Sequence, residues 1–211
     1  MKKILLLLSL CLVTVVSHAQ DDALYLMPSF GQGLVFFNGQ SAPVPGNLNI
    51  CALDNTLRFI GDDGNELVAN DNASVARVVI EGVTFLRYKD AYYRLYPVTL
   101  ESGYAILRQV KLERPGNQDS YGTLTETSSS RAYRSISSDG VSYDLEQARQ
   151  FPHTVTEILF LYKGKSILPF NKKNLGSCFP SQKASIEAYF KEGHRVPDTL
   201  EEAQAMFKVL Q

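Results

Sequence analysis

Over residues 24–113 no apolar pattern holds a helical period for any useful length, and turn residues cut the chain again and again into strand-sized runs. Runs at 34–37, 48–53, 56–60, 66–69, 74–81, 83–88, 91–98 and 104–113 are rich in β-branched and aromatic residues, the side chains that suit a half-buried pleated surface. The punctuation between them is specific. Asn38-Gly39 is the strongest two-residue hairpin signal, and Asp54-Asn55, Asp62-Asp63-Gly64-Asn65 and Gly82 mark further tight turns. Strands joined this closely pair antiparallel, because a parallel crossover needs a dozen or more connecting residues.

The cadence breaks at Arg114. Pro115-Gly116-Asn117 opens a polar stretch over 114–140 that includes Ser128-Ser129-Ser130 and Ser137-Ser138. Such a segment reads as a loop, either a plain linker or a binding loop on a rigid scaffold. Strand patterns resume at 154–162 and 166–170 around the hairpin Lys163-Gly164-Lys165, and after Asn171 the period becomes helical. Pro180 and Ser181 introduce a helix to about Glu192, with Ile186, Tyr189 and Phe190 on one face and Gly193 as its stop. Asp198 with Glu201 reads as the capping box of a last helix, whose stripe is Leu200, Ala203, Phe207 and Leu210. The expected class is α+β: an antiparallel β meander or barrel-like N-terminal part followed by a small C-terminal helical cap. Its parts are a signal peptide at 1–19, a β-rich domain at 20–113, the Ser/Thr-rich loop at 114–140, and a hairpin plus helices at 141–211.

The first residues set the compartment. Lys2 and Lys3 precede an apolar stretch over 4–16, and Ser17-His18-Ala19 places small residues where a signal peptidase reads them. The stretch is shorter than the roughly 20 residues a spanning helix needs. Cleavage after Ala19 is expected. Cys11 lies inside the apolar run behind Leu10, which does not make a lipobox. The expected location is therefore periplasmic or secreted, with no transmembrane segment in the mature chain. Losing the signal removes Lys2 and Lys3 and no acid, moving the net charge from −1 to −3. That balance gives no electrostatic footprint for nucleic acid.

Cys51 and Cys178 remain after cleavage. An oxidising compartment allows one disulfide between them, and closing so long a loop would contribute about 4–5 kcal/mol if unstrained. Two buried thiols are the alternative, since sequence cannot place their Cα atoms within bridging distance.

Catalytic motifs are not visible. His153 and His194 sit at element ends, and the chain has no H-E-x-x-H, no C-x-x-C and no G-x-S-x-G. Cys178 with His194 lacks any signature of a nucleophile pair. Gly31-Gln32-Gly33 lacks the third glycine and the helix of a phosphate loop and reads as a turn into a strand. Asp62-Asp63-Gly64-Asn65-Glu66 is oxygen-rich but lacks the calcium-loop spacing, and a β-turn accounts for it. No cofactor or metal is expected. The best surface candidate is aromatic: strand alternation sends Tyr92, Arg94 and Tyr96 to one face, a composition suited to stacking a glycan or holding a protein partner. The competing reading is that these rings cover the sheet beneath the C-terminal helices.

Several segments carry a resemblance. The hairpin at 36–39, Asn47-Leu48-Asn49-Ile50, Leu57-Arg58-Phe59, Asp62-Asp63-Gly64-Asn65-Glu66, Tyr121-Gly122-Thr123 and the ending Asn171-Lys172-Lys173-Asn174-Leu175 with Phe179-Pro180 follow one pattern. It resembles uncharacterised secreted or envelope proteins of Bacteroidetes-type bacteria with a β-rich domain and a short C-terminal helical region. Cys51 departs from that pattern. The resemblance implies a Gram-negative envelope or secreted location and transfers no catalytic residue. The function expected is a non-enzymatic envelope or secreted binding or structural module, with an envelope protein or glycan as partner. A hydrolase acting on glycan or peptide, with a site not visible in the sequence, is the alternative.

Overall fold

The computed structural model describes residues 23–112 and 152–210. The export-signal reading and the Ser/Thr-rich segment at 114–140 lie outside the described residues.

Ten strands make one antiparallel sheet. They are β1 (Gly31–Phe37), β2 (Val44–Cys51), β3 (Thr56–Ile60), β4 (Glu66–Val68), β5 (Val75–Ile80), β6 (Val83–Tyr88), β7 (Ala91–Pro97), β8 (Ser102–Leu112), β9 (His153–Lys163) and β10 (Ser166–Pro169). Their order is β10-β9-β8-β7-β6-β5-β1-β2-β3-β4. Neighbours in sequence are neighbours in the sheet, with one exception. The chain leaves the edge strand β4, passes through a short 3₁₀ turn at Asn72–Ser74, and re-enters beside β1 as β5. The boundary read at 114–140 does not divide the sheet, because β8 pairs with β9 along its whole length from Ser102↔Lys163 to Leu112↔His153.

Turn chemistry sets the local registers. Glu81 and Gly82 join β5 to β6 with φ of 47° and 78°, the left-handed pair that a two-residue hairpin of matching twist requires. Asn38-Gly39 behaves differently. Gly39 is left-handed at φ 79°, but the connection runs on to Val44, with Val35 paired to Val44. Instead of closing a tight hairpin, Asn38 donates its N–H to the Ser74 carbonyl at 2.8 Å and fastens the loop to the start of β5.

The sheet curls without closing. Asn72 Oδ1 accepts from the Leu57 N–H at 3.1 Å and from the Tyr92 hydroxyl at 2.6 Å, and its amide donates to the Asn55 carbonyl at 2.9 Å. Leu57 is on β3 and Tyr92 on β7, strands that lie far apart in the order, so one side chain reaches both only because the inner face is concave. That face buries Val35, Leu48, Ile50, Leu57, Val78, Phe85 and Tyr92 against one another.

Farther along the same face, Tyr104, Ile106, Leu159 and Leu161 receive the helices. These are α1 (Lys172–Cys178), α2 (Lys183–Lys191) and α3 (Leu200–Val209). The first is a single short helix that the periodicity does not announce; Asn171 caps it by accepting from the Asn174 N–H at 2.9 Å. A 3₁₀ turn at Pro180–Gln182 then leads into α2, which Gly193 ends at φ 90°. The capping box of α3 lies one residue later than expected. Thr199 accepts from the Glu202 N–H at 3.2 Å, and Glu202 reaches back to the Asp198 N–H at 3.0 Å. Thr199 caps the first turn and Glu202 closes the box on the N–H one residue before the cap, a pairing that Asp198 with Glu201 does not make here. Ala203, Met206, Phe207 and Leu210 form the buried stripe, Met206 included where the sequence reading had Leu200. No helix among the described residues is long and apolar enough to cross a membrane.

Candidate functional site

The face Tyr92-Arg94-Tyr96 holds together as alternation requires, but it is the inner face. Tyr92 is 1% exposed and sits in the curled core with its hydroxyl on Asn72. Tyr96 stacks on Tyr104 at 5.1 Å, and Tyr104 stacks on Phe207 of α3 at 5.3 Å. The Arg94 guanidinium lies 5.3 Å over the Tyr96 ring. Burial pushes both phenols above their ordinary pKa. Tyr92 is thus too buried to contribute to the expected binding surface, while Arg94 and Tyr96 are half-buried. Period two identifies which residues share a face; what covers that face is decided by the curl and by the helices.

Cys51 and Cys178 are free thiols in separate clusters, and no bridge joins them. Cys51 packs on Leu24 and Tyr25, next to the ion pairs of Arg58 with Asp54 at 2.6 Å and Glu66 at 2.9 Å. Burial, with the Asp54 charge adding to it, pushes the Cys51 thiol up to about 12. Cys178 is raised by burial beneath the helices. His194 stacks on Tyr189 at 4.1 Å and is exposed, whereas Cys178 is buried in the helical core, which gives the Cys–His idea no support. Gly31 and Gly33 are within β1, not a turn. A Cβ on Gly33 would stand 2.4 Å from the Val79 carbonyl, so close strand approach accounts for that glycine. Asp63 accepts from the Asn65 backbone and side-chain amides, which hold its carboxyl below the usual range and close the turn without a metal. Among the described residues no cluster of His, Cys, Asp or Glu is placed to hold a metal ion.

The opposite, outer face of the same strands carries a groove of about 770 Å³. Cross-strand register assembles it. Phe36 on β1 pairs with Arg77 on β5, which pairs with Leu86 on β6. Pro97 on β7 pairs with Gly103 on β8, which pairs with Tyr162 on β9. Leu86, Leu95 and Tyr162 supply an apolar floor. Gly103 is what lets the Tyr162 ring lie across β8: a Cβ there would be 2.7 Å from Tyr162 Cε1 and 2.2 Å from the Tyr96 carbonyl. One rim is Arg77, whose guanidinium lies 4.1 Å over the Phe36 ring, beside the loop Asn38-Gly39-Gln40. The other is made by Glu101, Lys165 and Leu100, the last wholly exposed at the tip of the β7–β8 turn.

The competing reading of β7, rings covering the sheet beneath the C-terminal helices, agrees with the Tyr96–Tyr104–Phe207 stack. Leu95 alternates against Tyr96 and faces the groove, and Leu100, a lone large apolar residue between turn residues, was the available signal for the rim. Phe36, Arg77 and Tyr162 come from strands distant in sequence, and only their register unites them. Comparison of the chain with protein-family models, with curated proteins and with solved structures returned no match.

Proposed function

We propose that this chain is an exported, non-catalytic binding module of the cell envelope, and that it holds a peptide segment of a partner protein in the outer-face groove. The observation that carries the reading is the groove itself: an apolar floor of Leu86, Leu95 and Tyr162, a ring-stacked arginine on one rim, and a fully exposed leucine on the other. Its volume falls in the range of ligand sites, and an arginine on an aromatic ring facing an exposed leucine across an apolar floor suits a protein contact. A glycan would need open aromatic faces to stack on, whereas Tyr162 is only 6% exposed. The hydrolase alternative would need paired titratable groups. Among the described residues Glu101 is the one carboxylate lining the groove, and neither His nor Cys lines it. The signal features of residues 1–19 support the compartment.

A photo-crosslinking residue at position 100 tests the site, with position 209 as control, since Val209 is also well exposed but belongs to α3. The expected result is a discrete adduct from position 100 in intact cells, weakened by Arg77→Glu and not formed from position 209. The same adducts from both positions, or none from position 100, would reject the groove.

A further inference from the structure

The helical layer carries a second concavity, away from the groove, on the side of the sheet where α1 and α2 pack. It is a cleft of about 450 Å³ between those helices. Lys172 and Lys173 line it from α1 and Lys183 from the start of α2, over a floor of Ile186, and among the described residues Glu187 is its one acid. Among the described residues none of the three lysines has a carboxylate within ion-pair distance, and the Lys172 ammonium lies 5.4 Å over the Phe190 ring; the described ion pairs belong to Arg58, Arg87, Arg195 and His194. The acids of this layer that are paired lie at its other end, where Glu202 and Asp198 engage Arg195 and Glu192 engages His194. Lys163, outside the lining, donates from Nζ to the carbonyl of the lining residue Ser177 at 2.9 Å. Gly176 leaves the wall open: a Cβ built there meets only Lys183 Cγ, at 3.9 Å.

The three lysines outnumber the one acid of the described lining, so the cleft keeps an excess of positive charge, and a multivalent anion relieves the repulsion among them where a single carboxylate relieves less of it. We infer that this cleft binds a phosphate group, with Lys172, Lys173 and Lys183 as the charges that hold it. Lysine suits this role as a mobile point charge with three donors. The chemistry is shared by a free phosphorylated solute and by an anionic lipid headgroup.

The experiment uses the chain from residue 20 to 211 and follows backbone amide shifts on titration with inorganic phosphate. Saturable shifts centred on Gly176 and Ser177 are expected, weakened about tenfold or more in Lys172→Gln/Lys183→Gln, a change of about 1.4 kcal/mol. Lys183→Glu alone should weaken them too, and the unchanged spectrum outside the cleft reports that each variant is folded. Shifts scattered over all surface lysines, or shifts that survive both variants, would overturn the site. Flotation with phosphatidylglycerol vesicles against phosphatidylcholine vesicles then separates the sources. Variant-sensitive binding to the anionic vesicles alone assigns a lipid headgroup, and phosphate binding without vesicle binding assigns a soluble ligand.

Discussion

Removing the Asn72 side chain should destabilise this protein more than its partly exposed position suggests. Asn72 Oδ1 is the acceptor for two donors: the N–H of Leu57, a residue 2% exposed, and the hydroxyl of Tyr92, 1% exposed. In Asn72→Ala both donors stay buried and lose their acceptor. Each orphaned group costs about 1–3 kcal/mol, so the loss should be about 2–6 kcal/mol. That is a large part of the 5–15 kcal/mol typical of a domain. With a urea slope of about 2 kcal/mol per molar, the midpoint should fall by about 1–3 M at unchanged slope. Asn72→Asp keeps the acceptor oxygen, losing only the bond to Asn55, and should cost less. Tyr92→Phe provides the decisive comparison. In the wild-type background it removes one satisfied hydroxyl, at about 1 kcal/mol. In the Asn72→Ala background it removes an orphan and should cost nothing or restore stability, giving a coupling of about 1–2 kcal/mol. A loss below about 1 kcal/mol for Asn72→Ala, or a cycle additive within about 0.5 kcal/mol, would refute the claim that this residue fastens β3 to β7.

Other outcomes follow from single contacts. Gly103→Ala should cost about 1–3 kcal/mol or more by urea unfolding, because its Cβ would meet the Tyr96 carbonyl at 2.2 Å and backbone cannot yield cheaply; Gly39→Ala, strained by its φ of 79° but with open space around it, should cost about 1 kcal/mol, and equal losses would refute the distinction. The Glu202 carboxyl is held down to about 2 by the Asp198 N–H and the Arg195 guanidinium. A depressed carboxylate contributes stability above its unfolded pKa, near 4.5, that is lost as pH falls through about 2. Glu202→Gln should flatten the stability profile in that window, and an unaltered profile would count against the box. Iodoacetamide should label neither Cys51 nor Cys178 in the native protein at neutral pH and both in urea, with no change on reduction; a native mass lower by two hydrogens would show a bridge.

Much of the strand content was legible because turn residues carry their own backbone requirement. Thr56–Ile60 and Val83–Tyr88 have the bounds read from sequence, each set by flanking residues that must turn. Asn38-Gly39 misled because a left-handed glycine fits a longer loop as well as a tight hairpin, and the Ser74 carbonyl decided between them. The capping box slipped by one because Asp198 and Thr199 are both good caps, and only the path of the chain selects which of them faces the first turn. The short α1 escaped because seven residues cannot display a period. Neither the groove nor the lysine cleft was legible: the groove gathers residues from strands remote in sequence, and the cleft, though confined to 172–187, depends on how the turn at Pro180–Gln182 sets α2 against α1.

By itself, then, the order of residues determined an antiparallel β protein with a helical C-terminus, and it determined which side chains of β7 share a face. Those are consequences of local dihedral preference and of the two-residue repeat, and they act over a few positions. Only the tertiary structure decided that β5 returns beside β1, that Tyr92 and Tyr96 point inward, and that Leu95 and Tyr162 floor an open groove. Both faces of β7 are aromatic and apolar, so composition could not rank them. The choice was made by the curl that brings Asn72 to Tyr92 and by the helices that take Tyr104, contacts between residues far apart in the chain.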